Sequence, residues 1–133
     1  MNKNAVNTSF SFKKRILSFR YAFSGISHLI KTQHNAWIHL FIALLVILSG
    51  ILFRVTPTEW MMIVICIGMV ITTEIINTTI EYFIDVISPG YNEKAGRVKD
   101  LAAAAVLVIS ITAAIVGLII FIPYIIVLIK QNL

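Results

Sequence analysis

Leu101–Ile129 reads LAAAAVLVISITAAIVGLIIFIPYIIVLI, a run without one formally charged side chain. A helix rising 1.5 Å per residue needs about 20 predominantly apolar residues to cross about 30 Å of hydrocarbon. This run exceeds that length. Its apolar side chains are continuous rather than alternating, which selects a helix over a barrel strand. Pro123 is expected to kink or end the helix near its far end, because it removes a backbone donor and crowds the preceding turn.

Two further segments have the same character. One spans 36–53, inside an uncharged window between Lys31 and Arg54. The other begins at Trp60, stays uncharged to Thr73 and continues as a helix pattern through Glu74 to about Ile87. Of the 133 residues 59% are hydrophobic and 13% charged, against about 25% charged in ordinary soluble proteins. Mean hydropathy is +0.92. A soluble domain this small exposes too much surface to hide that much hydrocarbon, and disordered chains have the opposite composition. The single cysteine, Cys66, excludes an internal disulfide framework. The chain reads as one all-α integral membrane domain, 1–133, with a surface helix over 10–35 and transmembrane helices over 36–53, 60–87 and 98–129. The first forty residues lack an apolar core followed by a small-residue cleavage site, so no removed signal peptide is expected.

Phe12, Ile16, Phe19, Phe23, Ile26 and Ile30 recur at steps of three and four, within an arc of about 80° on a helix. Lys13, Lys14, Arg20 and Lys31 lie away from that stripe. This is the pattern of a helix in the membrane surface with its basic face toward lipid phosphates. Packing on the protein's own bundle is compatible with the same pattern. Nine of the eleven Lys and Arg residues precede the first span or lie between the second and third, and only Arg54 and Lys130 fall on the other side. That asymmetry predicts a cytoplasmic N-terminus and an external C-terminus. The net charge of +5 then reflects topology and anionic lipid, and no nucleic-acid partner is expected.

The chemistry is concentrated in Glu74-Ile75-Ile76-Asn77-Thr78-Thr79-Ile80-Glu81-Tyr82-Phe83-Ile84-Asp85. Glu74, Asn77, Glu81 and Asp85, spaced by three, four and four, form one polar stripe about 80° wide. With hydrocarbon beginning near Trp60, the inner boundary falls near Ile80. Glu74 then lies about 9 Å inside it, Glu81 sits near it and Asp85 is in water. A carboxylate at such depth costs a few kcal/mol unless protonated or paired, so a functional role is the default reading. A carboxyl that merely pairs with another helix is the competing one.

The connection Ser88–Arg97 breaks helix at Pro89-Gly90 and again at Gly96. Its cations suit a nucleotide phosphate, and equally satisfy the positive-inside preference. Ala102–Ala105 offers a small-residue face for close helix packing. His28, His34 and His39 are not at metal-ligand spacing on one helix face, so no zinc site is expected. Cys66, inside the second span, reads as inert, and no P-loop is present.

The Glu74–Asp85 segment resembles the small bacterial membrane lipid kinases, the prokaryotic diacylglycerol kinase and undecaprenol kinase family. The family motif is E-x-[LIVM]-N-[ST]-[SA]-[LIV]-E-x-x-V-D. Glu74, Ile76, Asn77, Thr78, Ile80, Glu81 and Asp85 match in register, while Thr79 and Ile84 depart by about one methyl-sized change each. Arg97-x-Lys99-Asp100 followed by small residues resembles the family's nucleotide-binding stretch. The resemblance implies a homotrimer in the bacterial inner membrane, with the site between neighbours at the cytoplasmic interface. There Mg²⁺-dependent transfer of phosphate from ATP to a membrane lipid alcohol, diacylglycerol or undecaprenol, would take place. By the same resemblance, Glu74 is the general base and Asn77 its support. Glu81 and Gln33 would hold Mg²⁺, and Tyr21, Gly90, Tyr91, Asn92, Lys99 and Asp100 would contact ATP. Gln33 stands where many members carry Glu, so its carbonyl would ligate without charge. Two other functions fit the sequence: a weakened relative that only binds lipid or nucleotide, and a small proton or ion pathway. The polar stripe stops at Glu74, which leaves the pathway without a continuation outward.

Overall fold

A computed structural model of the chain describes residues 11–90 and 92–131. It is all-helical: α1 Phe12–Thr32, α2 His34–Phe53, α3 Pro57–Ile87 and α4 Glu93–Gln131. By length and composition α2, α3 and α4 can each cross a membrane. The expected spans 36–53, 60–87 and 98–129 lie within them. The 31 residues of α3 and 39 of α4 extend to about 46 and 58 Å, well beyond one hydrocarbon thickness.

The end of α1 packs on the rest of the chain. Leu29 is buried there, and His28 Nε2 shares a hydrogen bond of 2.9 Å with the Tyr82 hydroxyl on α3. Phe12, Ile16, Phe19, Phe23 and Ile26 remain exposed. Among the described residues these five side chains are not covered by the other helices, whereas Ile30, the last of the stripe, is half-buried. At Gln33 the backbone turns extended, with φ −110° and ψ 113°, and separates α1 from α2.

Opposite that junction, α2 and α3 meet in a short turn. Arg54 takes a left-handed conformation, φ 52° and ψ 49°, and its N–H donates to Ile51 O while Val55 N–H donates to Gly50 O. Thr56 then starts α3 with a reciprocal cap: its hydroxyl accepts from Glu59 N–H at 3.3 Å, and Glu59 Oε2 accepts from Thr56 N–H at 2.7 Å. Pro57 occupies the first turn, where its missing donor does no harm. Trp60 lies so close to Gly50 that a Cβ there would sit 2.9 Å from the indole ring.

α3 and α4 run antiparallel and form the most extensive contact. Their register is held at both ends, by the ion pair of Lys99 with Asp85 and by the Tyr124 hydroxyl donating to Glu59 Oε2 at 2.8 Å. Around the second tie, Val55, Ile63 and Ile120 form a buried core, with Phe53, Trp60 and Phe121 packed on it. α4 does not stop at Pro123 but continues to Gln131. The Tyr124 bond and the contacts of the Phe53 ring with Phe121 and Tyr124 hold α4 against its neighbours across the proline. In the single chain Ala102 is half-buried, Ala103, Ala104 and Ala105 are exposed, and Val106 packs inward.

Candidate active site

Glu74 is 1% exposed, and Asn77 and Thr78 are 6% exposed. They sit on the face of α3 that turns toward the bundle, as the three-and-four spacing requires. Asn77 Nδ2 donates to Glu81 Oε1 at 2.8 Å, one turn nearer the helix end. Glu74 Oε2, Asn77 Oδ1 and Thr78 Oγ1 are buried without a hydrogen-bond partner. Buried polar atoms are nearly always paired, so three orphans within two turns mark a place built to receive something.

The polar stripe divides at its lower end. Glu81 is half-buried and joined to Asn77, whereas Asp85 is exposed and paired with Lys99. Lys99, expected at the nucleotide, is thus tied within its own chain to α3. Asn92 is exposed and its side chain is occupied: Oδ1 accepts from Lys94 N–H at 2.9 Å and Ala95 N–H at 3.3 Å, starting α4. Gly90 and Asp100 are exposed as well, and Tyr91 lies outside the described residues. Tyr21 is 71% exposed on α1, and Gln33 is half-buried at the α1–α2 junction. None of Tyr21, Gln33, Gly90, Asn92 and Asp100 makes a hydrogen bond or ion pair with Glu74, Asn77, Thr78 or Glu81 among the described residues. One chain therefore brings together the Glu74–Asn77–Glu81 group and leaves the other candidates around it.

Three residues that the sequence did not single out as site residues belong to this region. Thr78 is buried between Glu74 and Glu81 with a free hydroxyl. His39, which forms no metal-ligand pattern in the sequence, is half-buried on α2 and lines the same cavity as Val70 and Ser110. Ser110 Oγ is buried and unpartnered on α4. Counting eleven residues inward from Asp85 and from Lys99 leads to Glu74 and Ser110, so the two are level in the α3–α4 contact, about 16 Å from that ion pair. A polar residue inside an intramembrane run was the available signal, but only the helix register reveals what it faces.

An oxygen-only set of Glu81, the Gln33 carbonyl and Asn77 Oδ1 has the chemistry of a Mg²⁺ site. That ion keeps several waters and is held by one or two carboxylates together with substrate phosphates. Among the described residues no group of three His, Cys, Asp or Glu side chains could hold a metal alone.

The sequence model of the family described as prokaryotic diacylglycerol kinase matches residues 20–121. An undecaprenol kinase from Bacillus subtilis (strain 168) is 37% identical over 106 residues, which cover 80% of this chain and 86% of that protein. A diacylglycerol kinase from Synechocystis sp. is 36% identical over 103 residues, 77% of this chain but only 59% of the relative's own length.

Proposed function

The chain belongs to the prokaryotic diacylglycerol kinase family, a family of lipid kinases, and from that premise we propose how it works. It transfers the γ-phosphoryl group of ATP to the hydroxyl of a membrane lipid alcohol, either diacylglycerol or undecaprenol. One observation carries the mechanism: a carboxyl that is 1% exposed, with an unpartnered oxygen, stands one turn from a hydrogen-bonded Asn77–Glu81 pair. A lipid hydroxyl lies just beneath the head groups while ATP stays in the cytosol. The base must then sit slightly inside the boundary and the phosphate-holding group at it, and Glu74 and Glu81 have those relative depths.

Glu74 takes the hydroxyl proton as the lipid oxygen bonds to the γ-phosphorus. The bond from that phosphorus to the bridging oxygen breaks and ADP leaves. Such transfers need positioning and charge neutralisation more than covalent help. Glu81 and Gln33 would hold Mg²⁺, which supplies neutralisation of the phosphate charge when bound. Asn77 fixes the Glu81 carboxylate through its amide and keeps its own carbonyl free toward the site. Tyr21, Gly90, Tyr91, Asn92, Lys99 and Asp100 form the nucleotide side. The exposed candidates on α1 and α4 support a site completed by a neighbouring copy, and we assign the assembly as a homotrimer. Exposed Ala103–Ala105 permits close approach of another helix. The basic asymmetry supports a cytoplasmic N-terminus in a bacterial inner membrane, with residues 1–133 acting as one domain.

The test is transfer of labelled phosphate from ATP to diacylglycerol or undecaprenol in mixed micelles, with Mg²⁺ and with EDTA. The expected result is phosphorylation of at least one lipid that EDTA abolishes. No transfer to either would leave the binding-only reading, which Gln33 favours because it removes a charge from the metal site.

A further inference from the structure

The corner between α1 and α2 is set on α3 from two directions. Gln33, at the corner, has an extended backbone, and its N–H donates to Leu29 O at 2.9 Å. Leu29 before it and Ala36 after it are buried, Ala36 with no exposed surface. On α1, His28 Nε2 shares its 2.9 Å hydrogen bond with the Tyr82 hydroxyl, and the two ring centres lie 5.2 Å apart. Tyr82 follows Glu81 directly in the chain. At the far end of α2, Gly50 lies against Trp60. Seventeen residues inward from that contact come Gln33 on one helix and Asn77 on the other. The two stand at about the same height, roughly 26 Å from the outer contact, and Asn77 is bonded to Glu81 one turn further on. The outer contact and the His28–Tyr82 bond thus place one corner beside one stretch of α3.

The bond also fixes how α1 is turned about its own axis. Phe12, Phe19 and Ile26 project about 160–200° away from His28, whereas Tyr21, two turns earlier, lies within about 20° of it. The side of α1 that carries Tyr21 and His28 is therefore the side turned to the Glu81–Asp85 end of α3, opposite the exposed apolar stripe. Turning α1 by one residue would break the bond and shift Gln33 with it. A neutral amide carbonyl attracts a cation less than a carboxylate does, so its placement before binding matters more. Glu81 is already fixed from its own helix by Asn77. Gln33 has no such tie and depends on the corner.

We propose that the His28–Tyr82 bond is a positioning latch for the metal site: it holds the α1–α2 corner on α3 so that the Gln33 carbonyl and the Glu81 carboxylate receive one Mg²⁺ together. The proposal rests on the kinase reading. His28 and Tyr82 are positioning residues in this account, and they act through Gln33.

His28→Leu and Tyr82→Phe each remove the bond, while His28→Gln keeps an amide nitrogen near the place of Nε2. Tyr82 is 42% exposed, so removing its hydroxyl leaves no buried group unpaired. Two readouts are taken on the full chain in detergent micelles. One is the Mg²⁺ concentration for half-maximal lipid phosphorylation. The other is Mn²⁺ binding with the non-hydrolysable analogue AMP-PNP and no lipid acceptor, followed by water-proton relaxation. Both should weaken about fivefold in His28→Leu and in Tyr82→Phe, the worth of one hydrogen bond, with the KM for lipid within about twofold of wild type. His28→Gln should stay within about twofold of wild type, and the double variant should be no worse than either single one. In a Gln33→Ala background, Tyr82→Phe should add less than about twofold, because the group that the latch positions is gone. If Tyr82→Phe and His28→Leu leave both readouts at wild-type values in an active enzyme, the latch is overturned and the kinase reading stands. An effect of Tyr82→Phe undiminished in the Gln33→Ala background would mark general loosening of α1 and would also overturn it. A wild-type chain that phosphorylates neither lipid refutes the kinase reading itself, and the Mn²⁺ readout then still decides the latch.

Discussion

Glu74 combines near-complete burial with an unpartnered carboxyl oxygen, inside a helix whose outward half is apolar. Burial alone would be costly, and a purely structural carboxyl would be paired, as Glu59 is with Thr56 and Tyr124. The contrast argues that Glu74 is kept for a partner that comes and goes. Replacing it by glutamine preserves shape and removes the base, so kcat should fall by about 10²–10⁴ while the KM for ATP stays nearly unchanged. Steady-state kinetics with varied ATP and varied lipid read both, and an equally active Glu74→Gln enzyme would remove the base assignment. Gln33→Glu would add a charge to the proposed metal site and should lower the Mg²⁺ concentration needed for half-maximal activity, as a metal titration at fixed ATP would show. The three-and-four spacing makes Glu74, Asn77 and Glu81 legible in the sequence itself. The placement of His39 and Ser110 is not legible there, because it depends on helix contacts whose register no local pattern encodes.

The helices themselves were legible wherever composition or periodicity was strong. The stripe from Phe12 to Ile30 declared α1, and uninterrupted apolar runs declared the spanning parts of α2, α3 and α4. How α4 packs was hidden for a physical reason: in lipid a helix can be apolar all round, so hydrophobicity does not distinguish a packed face from a lipid-facing one. α4 buries only Val106 and Ile120 and leaves Ala103–Ala105 outward. Its register comes instead from polar ties at the two ends, Lys99–Asp85 and Tyr124–Glu59. The Gly50–Trp60 approach does the same for α2 on α3. Gly50→Ala would push a methyl into the indole and should cost about 1–3 kcal/mol. Tyr124→Phe removes one hydrogen bond and should lower the unfolding temperature by less than Gly50→Ala does. Thermal unfolding in detergent, followed by tryptophan fluorescence, measures both. A Gly50→Ala protein as stable as wild type would mean that the indole can move aside and that the close approach does not set the α2–α3 contact.

At the scale of the whole molecule, one chain gathers Glu74, Asn77 and Glu81 in its interior, while Asp100 on α4 is exposed and Lys99 is engaged with Asp85. A nucleotide bound only by the chain's own groups would have to bring Asp100 toward Glu81 across the end of the bundle that the Lys99–Asp85 pair holds. A neighbouring copy can present its exposed Asp100 with that pair left in place, and a cyclic assembly repeats the arrangement at every interface. Mixing two inactive proteins separates the possibilities. Glu74→Gln removes the proposed base and Asp100→Asn the proposed nucleotide ligand, so each alone should be nearly inactive. When they are co-refolded in equal amounts, each interface draws one residue from each of two chains. About a quarter of the interfaces should then carry both native residues, and about a quarter of wild-type activity should return. A site completed within one chain recovers nothing on mixing, since no chain in the mixture has both residues.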